Sequence, residues 1–195
     1  MNFMNYHFTI FQLIIAAFVL IVVVIIAIAA SSERRRAKTL ALRDRFGAEY
    51  DRAVRKHGTA KKAEAKLADR ETRVEALKIR ALGTTEHHRF VAEWQTVQSR
   101  FVDHPKAAVT EADDLVNSLL QARGYPVVSF EQRVADLSVT YPRAMESYRV
   151  AHAVAVHLGR SEASTEELRT AMIQYRAIFD ELVQPEKPIE HKVAA

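Results

Sequence analysis

The chain contains no cysteine, and only five glycines and five prolines occur among its 195 residues. The absence of cysteine excludes disulfide bonds, thiolate zinc sites and a cysteine nucleophile. No segment alternates apolar and polar residues for long enough to predict a sheet. Charged residues and alanine are abundant instead, as is typical of helices. The sequence therefore predicts an all-α fold.

The common catalytic and metal-binding motifs are also missing. No G-x-S-x-G, G-x-x-x-x-G-K-[ST] or H-E-x-x-H segment occurs, and no two Glu-x-x-His segments could form a di-iron bundle. His87 and His88 are adjacent, so on a helix they point about 100° apart, and His152 and His157 miss the i, i+4 spacing. We therefore expect no metal, no cofactor and no enzymatic activity. An enzyme or metal protein that uses His87, His88 and His152 without a recognised motif is the alternative.

One long apolar run is present, from Phe8 to Ala30. Twenty-three helical residues rise about 34 Å, which exceeds a hydrocarbon core of about 30 Å. The run therefore predicts an N-terminal transmembrane helix over residues 8–30, preceded by a short tail over residues 1–7.

The charges on either side of this run predict an orientation. Residues 1–7 carry no charged side chain, whereas Arg34, Arg35, Arg36 and Lys38 follow the run closely. Positive residues are retained on the cytoplasmic side, and each gains about 1 kcal/mol beside anionic lipid. We therefore predict a single-pass inner-membrane protein with its N-terminus outside, its other residues cytoplasmic, and residues 8–38 in contact with lipid. The alternative is a secreted or periplasmic chain cleaved after the small residues near Ala29.

Charge divides the remainder of the chain into two parts. Residues 33–82 contain sixteen Lys and Arg against eight Asp and Glu, and the residues that follow contain twelve against sixteen. The pattern predicts a basic helical stalk over residues 31–82. Acidic residues interleave with the basic ones, and no base-stacking aromatics accompany them, which argues against nucleic-acid binding.

Three helices are predicted within the stalk, interrupted near Gly47 and Gly58. The third, from Ala60 to Ala81, places Leu67, Val74 and Leu77 on one thin apolar face. Such a face is typical of a helical hairpin or a short coiled-coil contact, and it permits self-association. A solvated helix with i, i+4 charge pairs is an equal alternative.

Residues 83–184 predict a compact bundle of four to five amphipathic helices. Apolar residues recur at helical spacing, as in Phe90, Trp94, Val97 and Phe101. Predicted N-caps are Thr84 or Thr85, Asp103, Ser129 and Ser164. The bundle is followed by a C-terminal tail over residues 185–195.

Several segments between residues 40 and 183 together resemble an uncharacterised bacterial family. They are residues 45–54, 94–98, 101–103, 111–113, 123–126, 130–133, 135–139, 148–149, 151–152, 164–169 and 175–176. Members of this family are usually catalogued as hypothetical, membrane or secreted proteins, and they are single-span helical proteins. The resemblance implies no activity, ligand or catalytic residue.

The densest set of distinctive polar residues is Arg123, Tyr125, Glu131, Arg133 and Asp136. They could form a binding face, or they could serve helix capping and an i, i+3 pair between Arg133 and Asp136. With no reaction motif present, the sequence predicts a non-enzymatic membrane protein that presents a helical bundle to a protein partner. The alternatives are an exported, processed domain and an enzyme without a recognised motif.

Overall fold

A computed structural model describes residues 3–158 and 163–184, apart from the side chains of residues 3–15, 17 and 19. The chain divides into two units, one that ends at Arg45 and one that begins at Phe46. The described residues contain helices and no strand, which confirms the all-α prediction. The predicted tail over residues 185–195 lies outside the described residues. The helices are α1 (Phe3–Phe46), α2 (Ala48–His57), α3 (Ala60–Glu75), α4 (Thr84–Arg100), α5 (Pro105–Ala122), α6 (Phe130–Leu137), a short 3₁₀ helix (Pro142–Ala144), α7 (Met145–Leu158) and α8 (Thr165–Val183).

The first unit corrects the prediction of a transmembrane anchor over residues 8–30. Within the part of the chain that the structure describes, no helix combines the length and the apolar character needed to cross a membrane. Within the apolar run, the side chains are described continuously only over residues 20–30. These eleven residues rise about 16 Å, roughly half of a hydrocarbon core. The side chains of residues 8–15, 17 and 19 of the predicted anchor lie outside the description.

The same finding corrects the predicted location. An orientation set by flanking charge requires a spanning helix, so the single-pass inner-membrane and signal-anchor interpretations are not supported. Arg34, Arg35, Arg36 and Lys38 lie on α1 with exposed side chains. Their contact with lipid stays a prediction.

The second unit is built around α5, α7 and α8. Helix α8 packs against both α7 and α5, and α4 packs against α5. The predicted stripe on α4 faces this core, because Phe90, Trp94 and Val97 are all buried. Trp94 stacks on Phe179 of α8 with ring centroids 4.8 Å apart. Apolar spacing therefore predicts the buried face of these helices correctly.

Helices α2 and α3 form a hairpin. Gly58 ends α2 in the left-handed conformation with φ of 80°, and its N–H donates to the carbonyl of Val54 at 2.8 Å. Thr59 then caps α3, its hydroxyl accepting from the N–H of Lys62 at 3.3 Å. Leu67 and Val74 are buried, so the thin apolar face packs within the chain, as the hairpin interpretation requires.

Helix α3 ends at Glu75, six residues earlier than the predicted end at Ala81. The segment that follows runs instead past the end of α5, where the N–H of Arg80 donates to the carbonyl of Arg123 at 2.9 Å. Gly124 makes this close approach feasible, because a Cβ at its position would lie 2.5 Å from the carbonyl oxygen of Lys78. The end of α3 is thus set by a contact with a distant part of the chain.

Within residues 83–184, helix capping agrees with prediction at two of four positions. Ser129 accepts from the N–H of Gln132, and Ser164 forms a capping box with Glu167. The predicted caps at Thr84 or Thr85 and at Asp103 are wrong, since Gly83 and His104 occupy those positions. Glu86 explains the first difference, because its carboxylate accepts from the N–H of Gly83 at 3.0 Å. This bond makes Gly83 the N-cap, so that α4 begins at Thr84. Pro105 explains the second difference, because proline is favoured as the first residue of a helix. The residue before it, His104, is then the N-cap.

Substitution of two glycines tests the contact between the segment after α3 and the end of α5. Gly124→Ala should lower the free energy of unfolding by more than about 2 kcal/mol, since it combines positive φ with a clash against a backbone carbonyl. Gly58→Ala is the matched control: φ is also positive but the space is open, so the expected loss is about 1 kcal/mol. Urea unfolding measures both. Equal losses would contradict the close approach at Lys78.

Candidate functional site

Helix α2 carries charges of opposite sign at its two ends. Glu49 and Asp51 lie in its first turn, and Arg55, Lys56 and His57 lie in its last turn. This order matches the helix dipole, which favours acidic side chains at the start and basic ones at the end. The helix therefore presents a carboxylate at one end and a pair of exposed cations at the other.

Glu49 forms the best-defined ion pair of the second unit. Its side chain is only 4% exposed, and its two oxygens accept from Nη1 and Nη2 of Arg149 at 2.5 and 2.9 Å. Nε of Arg52 lies 3.6 Å from the same carboxylate, while Nη2 of Arg52 donates to Glu146 at 2.5 Å. A bidentate pair of this kind fixes both distance and orientation, and so attaches α2 to α7.

A cavity of about 450 Å³ lies beside this ion pair. Its lining comes from α2, α3, α6 and α7, and we call it the basic pocket. The residues are Glu49, Arg52, Ala53, Arg55, Lys56, Arg70, Glu131, Val134, Ala135 and Arg149. Five of these side chains are cationic and two are carboxylates, so the lining carries an excess of positive charge.

Arg70 of α3 is the most confined of the unpaired cations in this pocket. It is half-buried, and its Nη1 donates to the hydroxyl of Ser138 at 3.2 Å. Burial lowers the pKa of the Arg70 guanidinium, and while Glu49 and Asp136 raise it, the charges of Arg149 and Arg73 lower it further. Burial is thus the largest cause of the lowered pKa, and Glu49 is the carboxylate that opposes it most.

Helix α3 is held against α6 by Asp136. This carboxylate is 3% exposed, and its Oδ1 accepts from Nε of Arg73 at 2.7 Å and lies 2.6 Å from Nη2 of the same guanidinium. Gln132 donates to the same oxygen at 2.9 Å. The pair fixes the helix that carries Arg70, and thus positions one wall of the basic pocket.

A second polar cluster joins α5, α6, α7 and α8. Arg133 donates to Asn117 and to the hydroxyl of Tyr148. Asp113 accepts from the hydroxyl of Tyr175 at 2.9 Å, and it lies 3.4 Å from Nδ1 of His152. The histidine thus lies half-buried in the bundle, within hydrogen-bond distance of Asp113.

Burial and hydrogen bonding have opposite effects on the pKa values of Asp113 and Tyr148 in this cluster. Burial on its own would raise the pKa of Asp113, but hydrogen bonds from His152 and Tyr175 outweigh it, and the net pKa is lowered. Burial raises the pKa of Tyr148 to about 12 despite the hydrogen bond from Arg133. The cluster is therefore an ionised carboxylate held among neutral phenols and a half-buried imidazole.

The five residues of the predicted binding face do not share one surface. Arg123 and Tyr125 are buried, and Nη1 of Arg123 donates to the hydroxyl of Tyr141 and to the carbonyl of Leu182. Arg133 joins the second polar cluster and Asp136 pairs with Arg73. Only Glu131 lines the basic pocket.

The sequence did not predict that the cations of the basic pocket lie together. Arg52, Arg55, Lys56 and Arg70 read as part of a basic stalk, and Arg149 lies far along the chain. The available signal was local: Glu49 and Arg52 stand three apart on one helix, which is typical of an ion pair. Nothing in the local pattern indicates the partner of Glu49 on α7.

Among residues 3–158 and 163–184, as far as their side chains are described, no three His, Asp or Glu side chains are arranged to hold a metal ion. In comparisons with family models, with curated proteins and with solved structures, nothing matches this chain.

A double-mutant cycle tests the ion pair between Glu49 and Arg149. Each single alanine variant should lower the free energy of unfolding by about 3 kcal/mol, because the remaining partner is left as a poorly compensated charge. The double variant should cost less than the two single losses together, with a coupling of about 1–3 kcal/mol. The exposed pair Arg176 and Asp180 is the control, with an expected coupling below about 0.5 kcal/mol. A coupling no larger than this control would contradict the structural role of the pair.

The pKa of Asp113 gives a prediction for pH dependence. A carboxyl whose folded pKa is lowered stabilises the fold above its unfolded pKa of about 3.8, and this contribution is lost as pH falls through the folded pKa. The difference in unfolding free energy between the wild type and Asp113→Asn should therefore shrink as pH is lowered from 7 to 3. Asp114→Asn, on the exposed side of the same helix, should show a smaller change. Urea titrations at each pH measure it, and a difference that grows with acidity would refute the assignment.

Proposed function

We propose that the chain is a non-enzymatic, partner-binding helical module, and that the basic pocket is its binding surface. The observation that carries this proposal is the excess of cations around a cavity of about 450 Å³. Pockets of this size are typical of sites that enclose a ligand or a side chain of a partner. The function is recognition of an anionic group by arginine and lysine side chains that stand on fixed helices.

The way in which the cations are held supports binding. Helix α2 supplies Arg52, Arg55 and Lys56, and the bidentate pair between Glu49 and Arg149 attaches this helix to α7. A site whose residues stand on helices that are already fixed loses less backbone conformational entropy on binding. A loop carrying the same charges would have to be ordered first.

The chemical character of the lining also supports binding over catalysis. The lining residues that the structure describes are arginine, lysine, glutamate, alanine and valine. Glu49, which could act as a base, has both oxygens engaged by Arg149. General acid–base chemistry needs a group that is free to exchange a proton, and nucleophilic chemistry needs a group that is free to attack. The other carboxylate of the lining, Glu131, is exposed, and the remaining charged side chains are cations.

A protein partner that presents acidic or otherwise anionic groups fits this surface. Charge complementarity of this kind raises association rates and selects partners. Glu131, an exposed carboxylate of the lining, would repel a continuous phosphate backbone, which supports a compact anionic group over nucleic acid.

Photo-crosslinking inside cells tests the proposal. A photoreactive amino acid replaces Glu131, which is exposed at the pocket, in the full-length chain. The matched control places it at Thr110, which is exposed on α5 and does not line the pocket. We expect a discrete protein adduct from position 131 that position 110 does not give.

Charge reversal then shows whether formation of the adduct depends on the cations of the basic pocket. The adduct should fall by roughly tenfold when Arg55→Glu and Lys56→Glu are added, because complementary charge becomes repulsive. Reversal of Arg89, an exposed cation on α4, should leave it unchanged. An adduct that survives reversal at residues 55 and 56, or that forms equally at position 110, would overturn the proposal.

A further inference from the structure

The charge balance of the basic pocket indicates the charge of its ligand. Its five cations exceed its two carboxylates by three. Glu146 neutralises one further cation, because it accepts from Nη2 of Arg52 at 2.5 Å. Arg73 and Asp136, behind the pocket wall, cancel each other. Two positive charges are left uncompensated, so a dianionic group restores neutrality.

The donors that remain available are arranged on two sides of the cavity. Among the described residues, Arg55 and Lys56 form no hydrogen bond or ion pair through their exposed side chains. Within the same described part of the chain, Arg70, on the opposite helix of the hairpin, donates only to the neutral hydroxyl of Ser138. Arg149 is engaged by Glu49 and serves to shape the wall. A ligand would thus meet one guanidinium from α3 and a guanidinium and an ammonium from α2.

The chemistry of these donors narrows the anion further. Guanidinium groups present planar forks of N–H donors that match phosphate and carboxylate oxygens, and an ammonium adds a compact point charge. Three cations that approach from two sides fit an anion with three acceptor oxygens better than a planar carboxylate. A phosphate monoester has three such oxygens and carries about −1.5 to −2 charges at pH 7.

The cavity is large enough for more than an inorganic ion. Ala53, Val134 and Ala135 supply an apolar part of the lining. A pocket of about 450 Å³ lies in the range that encloses small organic ligands or a side chain. The apolar lining therefore has room for the carbon atoms to which the phosphate is attached.

We propose that the basic pocket binds a phosphate monoester, with Arg55, Lys56 and Arg70 as the direct ligands of the phosphate oxygens. The inference rests on the proposed function, since it names the anionic group that the binding module recognises. The ester is carried either by a small molecule or by a phosphorylated side chain of a protein partner. Both sources present the same group to the same three side chains.

Isothermal titration of the full-length chain tests the anion class. Three probes are used. They are capped phosphoserine, the sulfate ester of capped serine, which carries a single negative charge, and succinate, a dicarboxylate. Capped phosphoserine should bind at least about tenfold more tightly than either of the others, because only it combines two charges with three terminal oxygens. Equal or tighter binding of succinate or of the sulfate ester would overturn the proposal.

The pH dependence of the same titration is a second readout. The second ionisation of a phosphate monoester has a pKa of about 6, whereas arginine and lysine stay protonated between pH 5 and 7.5. Binding should therefore weaken several-fold, up to roughly tenfold, from pH 7.5 to pH 5, while binding of the sulfate ester changes little. An unchanged dissociation constant for phosphoserine over this range would contradict recognition of the dianion.

Variants locate the site. Arg55→Ala combined with Lys56→Ala should weaken phosphoserine binding by more than about tenfold, and Arg70→Lys should weaken it several-fold because the charge is kept but the fork is lost. Arg89→Ala is the control on α4 and should bind as the wild type does. Unfolding curves establish that each variant is folded. Wild-type affinity in Arg70→Lys and in the double variant would overturn the assignment.

Further comparisons show whether the ester belongs to a protein or to a small molecule. They also distinguish a wrong ligand class from a wrong proposed function. Tighter binding of phosphoserine within a short peptide than of glycerol phosphate assigns the group to a protein partner, and equal binding assigns it to a small molecule. If no phosphate ester binds while the crosslink at position 131 still depends on Arg55 and Lys56, the ligand class is wrong and the proposed function stands. If the esters bind and the crosslink is absent, the pocket binds a phosphate ester but does not serve a protein partner.

Discussion

One buried ion pair, between Glu49 and Arg149, joins α2 to α7, and the basic pocket depends on it. A carboxylate that is 4% exposed costs several kcal/mol unless it is paired and hydrogen-bonded, and here both oxygens are satisfied by one guanidinium. The pair consequently sets where α2 lies on the bundle. Because Arg55 and Lys56 stand in the last turn of that helix, their position at the pocket follows from the same interaction.

The other polar contacts of the second unit have a similar role. Asp136 holds α3 to α6 through Arg73, and Arg133 connects α5, α6 and α7 through Asn117 and Tyr148. Apolar packing between helices tolerates small shifts, whereas buried polar groups require defined partners, so these contacts restrict how the helices can slide. Some cations of the pocket remain unpaired because Glu49, Glu146 and Asp136 are already paired with Arg149, Arg52 and Arg73. An external anion supplies what the chain leaves uncompensated.

Much of the fold, but little of the site, could be predicted from the sequence. The stripe of Phe90, Trp94 and Val97 and the capping box at Ser164 are local patterns, and local patterns specify helices and their buried faces. The end of α3 was not predictable, since it depends on a contact with Arg123. The pocket was not predictable either, because Glu49 meets Arg149 across a separation of 100 residues, which leaves no periodic signal. The transmembrane prediction relied on the composition of residues 8–30 and is not supported by the part of α1 whose side chains are described.

The most direct test of the account is side-chain NMR of the arginines as capped phosphoserine is added. The Nε–Hε resonances of Arg55 and Arg70 report hydrogen bonding at the two sides of the pocket, and that of Arg89 on α4 provides an internal control. If the basic pocket binds the phosphate ester, the resonances of Arg55 and Arg70 shift and saturate together with one dissociation constant, and that of Arg89 does not move. If Arg70 does not shift, or if all three drift alike without saturation, the pocket does not bind the anion and the central claim is contradicted.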